Sequence, residues 1–580
     1  MRATALITAV ALALVPAGAL AQTSDARAAS PSPHVASILR YVPDDAHLVV
    51  LVPSLDGLVQ GIAGFGKAIG VEDMADVDLH DILEEALGEA VDGLAGAGAF
   101  ALVMSADYEE PLLIASLAKS DVWARDTKPS SLRDNVQLFE FGESRYVAAM
   151  IGDVAVFARE KDDLPRALDA KGTFRKRFMA AAGSSLSDRQ VVLYVDVAAW
   201  KEFIEAQMNV AAQAMSMGMA AAGENAEAAV QVWNWVLTRF RSMLSQGEAF
   251  VVGLRVDGRG VFVNAEATFK PGGSVARYLA GARKPKSDMF RGLTVPSGPV
   301  VLAFEWESPP GAEDWNMELV RMMFDLPGVR EKIDAKQIDL MLEKSAAVNR
   351  RVHGVSAAMT IGEADGSGLS YWGLYLTEQG ADVQRDLGAM WDACPDFLSA
   401  WGAMPAEMKR GEVETVGGVE SETFVLDFGG ADAPMDPVLL ELYGENPTVY
   451  MAPHAEGLAY ALGTKAIARE RMRQMLAGKA APLSQDKRVS AIMKVFSPNP
   501  QACVLVDLPK LAAGVLSFAR KLGLPMPELS FGKQETSLTG ATLYLDARAI
   551  RGEVYVPAEP LKVLIREMER MKAGPEDEAF

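Results

Sequence analysis

The sequence predicts an α+β fold: two tandem related halves of mainly antiparallel sheet with helices packed on one face. Three observations carry this. An apolar run that ends in a capping residue and leads into a helix recurs at 48–53, 191–196, 300–305 and 502–507. A second unit, two strands around a tight polar turn followed by proline and a helix, recurs at 250–271 and 543–557. Hairpins outnumber strand–helix–strand crossovers, which favours antiparallel pairing.

In chain order, the first segment is an export signal. Arg2 supplies a positive start, 5–15 is apolar and uncharged, and Pro16 and Gly18 break the helix. Ala19 and Ala21 then form the small-x-small pattern that places cleavage between Ala21 and Gln22. The apolar run is shorter than the roughly 20 residues a membrane span requires. Residues 1–21 are thus a signal peptide, and the Ser-, Ala- and Pro-rich stretch 22–40 a flexible leader.

The first α+β half spans 41–285. After its opening strand, Leu55, Leu58, Val59, Ile62 and Ile69 recur at helical spacing. In the hairpin at 250–269, Asp257-Gly258-Arg259-Gly260 supplies residues that tolerate positive φ. The polar, proline-containing stretch around 283–296 is the linker. The second half, 286–572, repeats the order of units. The 146–158 hairpin has its counterpart at 449–462, and Leu561, Leu564, Ile565, Met568 and Met571 form one apolar helix face after Pro557. An acidic tail, 573–580, closes the chain.

Composition bounds the function. Of 580 residues half are apolar, and the formal charge is −21 (56 basic against 77 acidic residues). This is too apolar for a disordered chain. The acidic balance opposes nucleic-acid binding, which depends on cations that displace counterions from phosphate. Two cysteines, Cys394 and Cys503, are too few for a disulfide scaffold. They read as separate thiols, with Cys503 inside the apolar run 502–506.

The stretch Gly61 to Lys67 matches G-x-x-x-x-G-K, but Ala68 replaces the Ser or Thr that holds magnesium, and the stretch lies in a helical pattern. It reads as a glycine-rich helix packed closely on a sheet. Asp73, Asp76, Asp78, His80 and Asp81 precede an apolar helix face and lack an EF-hand pattern, so capping explains them better than calcium. Asp196, Glu305 and Asp507 each end a repeated strand. A carboxylate recurring at one position in several copies is a shared structural device, and Asp196 and Asp507 fit N-caps. His34, His47, His80, His353 and His454 form no HxxxH or HExxH pattern. We therefore expect no catalytic, metal-binding or cofactor-binding residues, and no cofactor. The one candidate ligand surface is Met- and Trp-rich: Met215, Met219, Trp233 and Trp235 can line an adaptable apolar pocket, though helix-spaced apolar stripes usually form core.

The phrase Tyr41-Val42-Pro43-Asp44-Asp45-Ala46, followed by the strand and Pro53-Ser54-Leu55, resembles the start of exported bacterial proteins of an uncharacterised family, a domain-of-unknown-function group of the 3352 type. The strand–helix–hairpin plan is similar over most of the mature chain. The resemblance implies no activity and no site residues. The expectation is a periplasmic or secreted, non-enzymatic protein with a binding or structural role. Its partner would be an unknown protein or a small apolar ligand, with no nucleic acid and no integral membrane segment after cleavage. A lipid carrier, or a hydrolase with dispersed acid and base residues, are the alternatives.

Overall fold

The computed structural model describes most of residues 32–573. Residues 1–31 and 574–580, and internal stretches including 76–82, 106–109, 221–225, 306–312, 397–406 and 429–436, lie outside the described residues. The signal peptide, the Ala21–Gln22 junction, the tail and most of the acidic cluster after Asp73 therefore lie outside them.

The fold is mixed α+β with antiparallel sheet. The chain divides into two compact units: Met1–Ile204 with Met243–Ala276 and Leu543–Lys562, and Glu205–Ser242 with Arg277–Thr542 and Val563–Phe580.

The first unit holds β1 (Ala46–Val52), β2 (Phe100–Ser105), β3 (Leu112–Ser116), β4 (Ser130–Arg133), β5 (Val136–Glu140), β6 (Val147–Ile151), β7 (Val154–Ala158), β8 (Val191–Asp196), β9 (Gly247–Asp257) and β10 (Gly260–Phe269). Antiparallel pairing orders them β4-β5-β6-β7-β3-β2-β1-β8-β9-β10. The second unit holds β11 (Val300–Glu305), β12 (Gly354–Ile361), β13 (Leu369–Leu376), β14 (Glu407–Arg410), β15 (Glu414–Val416), β16 (Val419–Asp427), β17 (Pro447–His454), β18 (Gly457–Thr464) and β19 (Ala502–Val506). Here β14 and β15 both pair β16, and the order continues β16-β17-β18-β13-β12-β11-β19. Position for position this is the order of β5 to β8 in the first unit: β1 matches β11 and β8 matches β19.

Two further strands, β20 (Thr539–Asp546) and β21 (Ala549–Pro557), follow β19 as β9 and β10 follow β8. The units differ here from the contiguous spans 41–285 and 286–572. β21 pairs β10 from Gly260↔Pro557 to Thr268↔Ala549, and this long ladder groups 543–562 with the first unit.

The single expected helix layer is one of two in the first unit. Val49 and Leu51 of β1 join a core with Val35 and Ile38 and with Phe174 and Phe178 of the helix Thr173–Ala182. Val52, on the opposite face, joins Phe100, Leu113 and Trp123, against which Leu55 and Leu58 of the helix Leu55–Ile69 pack. Both faces are covered because β3 and β7 are buried along their whole length, the pattern of strands apolar on both sides. The leader also ends earlier than expected. Ser32 Oγ accepts the Val35 N–H and caps the helix Pro33–Ile38, whose Val35 and Ile38 are core residues.

The P-loop-like glycines lie inside the helix Leu55–Ile69. A Cβ on Gly61 would stand 2.4 Å from the Val256 carbonyl oxygen and 2.5 Å from Gln190 Nε2. Gly61 thus lets the helix approach the sheet at a distance no other residue permits.

Candidate functional site

The strand-end carboxylates are built into a duplicated structural device. Asp196 Oδ1 accepts the Ala199 N–H, and its Oδ2 accepts from Arg177 at 2.7 Å. Asp507 Oδ1 accepts the Lys510 N–H, and its Oδ2 accepts from Arg488 at 2.8 Å. In both copies the arginine precedes its aspartate by 19 residues and the capped N–H lies three residues on. Each carboxylate closes a helix start and anchors the preceding helix at once. The copies differ in burial: the Asp507 side chain is 4% exposed and Arg488 17%, against 14% and 39% for Asp196 and Arg177. Asp507→Ala should therefore cost more stability than Asp196→Ala. Loss of the cap alone costs about 1 kcal/mol, and the nearly buried Arg488 also loses its nearer carboxylate, keeping Asp486 at 3.6 Å. Urea denaturation of the two variants checks the ranking.

The residues that follow Glu305, the third strand-end carboxylate, lie outside the described residues. Glu305 itself is 4% exposed and lies 2.9 Å from Arg291 Nη2. Glu307, which would share its strand face, lies outside the described residues.

The remaining sequence candidates are dispersed. His454 accepts the Glu456 N–H on Nδ1 in the β17–β18 turn, and burial pushes its pKa down, opposed by Glu456. His353 stands just before β12. Cys394 and Cys503 are free and buried. Burial pushes the Cys394 thiol up to about 11, helped by Asp396 and Asp334, and raises that of Cys503 further. Neither is primed as a nucleophile, which requires a thiolate.

Met215 and Met219 lie in the helix Val197–Ala220, but their side chains lie outside the described residues. Trp233 and Trp235, on the helix Ala226–Gln246, are half-buried. Their indole N–H groups make no hydrogen bond among the described residues. The Arg239 guanidinium stands 5.6 Å from the Trp235 ring centroid. One turn apart on this helix, Val236 and Phe240 are 40% and 46% exposed. Val210, 61% exposed, lies next to Asn209, whose side-chain oxygen accepts from Arg241. The second unit therefore presents the large apolar side chains Val210, Val236 and Phe240 to solvent.

The polar group that sequence reasoning missed lies on one face of β9, β10, β20 and β21. The register sets Glu266 opposite Arg551, Asn264 opposite Glu553 and Phe262 opposite Tyr555. Arg551 is 1% exposed and Glu553 4%, 3.5 Å apart. The Tyr544 hydroxyl donates to Glu553 at 3.1 Å, and the Arg551 guanidinium covers the Tyr544 ring at 4.1 Å. Asn264 accepts from Arg189 Nε at 2.6 Å, and Arg189 in turn stacks over Phe262. Burial pushes the Glu266 carboxyl up to about 7; Arg551 opposes the shift and Asp546 adds to it. Among the described residues no group of three or more His, Cys, Asp or Glu side chains could hold a metal ion. The arrangement is an internal ion-pair network, with aromatic rings against its guanidinium groups.

Comparison with known proteins adds little. No family model matches the chain, and no curated protein matches it. Solved structures that match in part include crystal forms III, I and IV of TP0453, at 11%, 11% and 13% identity with TM-scores of 0.21, 0.20 and 0.21. They cover 42%, 40% and 42% of this chain and 81%, 79% and 83% of their own. At these TM-scores the likeness carries no argument about fold or function. Among the described residues no helix is long and apolar enough to cross a membrane.

Proposed function

We propose that this chain is an exported, extracytoplasmic, non-enzymatic protein with a binding role, related to the exported bacterial family its Tyr41–Ala46 phrase resembles. The N-terminal signal pattern supports export. The carboxylates that an enzyme reading would recruit, Asp196, Glu305 and Asp507, are each engaged by an arginine. The observation that carries the binding role is the exposed apolar stripe of Val236 and Phe240, one turn apart on the helix that also bears Trp233 and Trp235. Exposed large apolar side chains that share one face mark interaction sites. The occupant we assign to this surface is an apolar ligand or the apolar face of a protein partner.

Titration of the mature chain with Nile red, a neutral apolar dye, tests this reading. Saturable binding is expected. The double variant Val236→Asp/Phe240→Asp should weaken it at least about tenfold, since full burial of such a side chain contributes roughly 1.5–3 kcal/mol and a little under half of each remains to be covered. The thermal midpoint should stay unchanged, because both side chains are exposed. Undiminished dye binding by the folded variant would overturn the assignment.

A further inference from the structure

We infer that the helical layer between 465 and 494 in the second unit is a docking surface for anionic phospholipid headgroups. The inference rests on charge and is independent of the apolar stripe above.

The chain carries a formal charge of −21, yet residues 465–494 hold eight Lys and Arg against two acids, Glu470 and Asp486, a local charge of +6. Two helices hold most of these cations: Lys465–Ala477 carries Lys465, Arg469, Arg471 and Arg473, and Lys487–Met493 carries Lys487, with Lys494 at its end, and Arg488, which Asp507 engages. They lie on one face of the sheet. Trp372 pairs with Ala358, Ala358 with Val301, and Val301 with Leu505, so the four side chains form one row on one face. Arg471 of the first helix covers Trp372 at 4.2 Å. Met493 of the second touches Cys503, which shares a face with Leu505, at 3.8 Å.

Burial fixes which way the cations point. Ala468, Met472 and Met475 anchor the first helix, and Val489 and Ile492 the second. Lys465, Arg469 and Arg473 are 62%, 58% and 56% exposed, and Lys487 and Lys494 are exposed too. Glu414 engages Lys465 and Arg469, and Glu470 engages Arg473, so the local acids offset part of the charge only.

The fold itself does not demand this charge. The corresponding segment of the first unit, 159–182, follows β7 as 465–494 follows β18. It holds seven Lys and Arg against four acids, +3. The second copy thus carries twice the excess of the first. At physiological salt the screening length is about 8 Å, so a facing surface senses this layer and not the net charge of the whole chain. Each basic residue held near an anionic bilayer contributes about 1 kcal/mol.

Sedimentation of the mature chain with phosphatidylcholine vesicles, and with vesicles of phosphatidylcholine mixed with phosphatidylglycerol, tests the inference. Binding to the anionic vesicles alone is expected, falling as salt is raised. The variant Arg473→Glu/Lys487→Glu/Lys494→Glu spares the contacts to Glu414 and should lose at least about 100-fold in affinity, the worth of three such contacts. Its thermal midpoint should match that of the parent chain. Equal binding to both vesicle types, binding to neither, or full binding by the folded variant would overturn the inference.

Discussion

Arg551→Ala should lower stability by about 3–5 kcal/mol, the usual cost of removing one partner from a buried ion pair. Arg551 is almost inaccessible at 1% exposure, and it is the cation that faces both Glu553 and Glu266. Without it, Glu553 keeps the Tyr544 hydroxyl and the more distant Arg189 but loses its nearest cation. Burying a carboxylate without a close countercharge is expensive. Arg551→Met separates charge from packing, because the methionine stem still covers the Tyr544 ring. If loss of the countercharge dominates, Met should recover little of the loss. Urea denaturation of both variants provides the measurement. A loss below about 1 kcal/mol for Arg551→Ala would show that this network does not hold the β10–β21 ladder together.

Stability should also fall as pH rises from about 4.5 to 7, through Glu266. Its carboxyl is raised from 4.5 to about 7 in the folded chain, first by burial. Between these values the folded state keeps a proton that the unfolded chain has released, so raising the pH favours unfolding. The full effect is at most about 3 kcal/mol, gained below 4.5 and lost above 7. Glu266→Gln should abolish this part of the slope and raise stability at pH 8. Thermal unfolding at pH 5 and pH 8 checks both. An unchanged slope in Glu266→Gln would assign the pH dependence to other groups.

The sequence made the framework of the fold legible and left the ion-pair network hidden, for one physical reason. Apolar runs such as 191–196 and 502–507 announce strands because burial demands them locally, and the Gly and Asp residues at 257–260 announce a turn because φ does. Asp196 and Asp507 were readable as caps because a cap is defined by the three residues that follow it. Their arginine partners were not, since Arg177 and Arg488 reach them from the preceding helix. The buried network was misleading outright. Asn264 and Glu266 alternate with Val263 and Ala265, which reads as a strand with one wet face. Arg551 and Glu553 show the same alternation. Only the pairing of β10 with β21 brings the two polar rows together and lets each compensate the other. The exposed apolar stripe was half legible: Trp233 and Trp235 stood out by type, whereas the exposure of Val236 and Phe240 depends on what the helix packs against.

The central claim is that the conspicuous carboxylates are architectural and that binding resides on the apolar surface. Asp507→Ala, measured for urea stability and for Nile red binding under the same conditions, tests it most directly. The expected result is a stability loss of about 2 kcal/mol, from the lost cap together with the loss of the nearest carboxylate to Arg488, which keeps only Asp486 at 3.6 Å, and dye binding by the folded protein equal to that of the parent chain. Unchanged stability together with lost binding would contradict it.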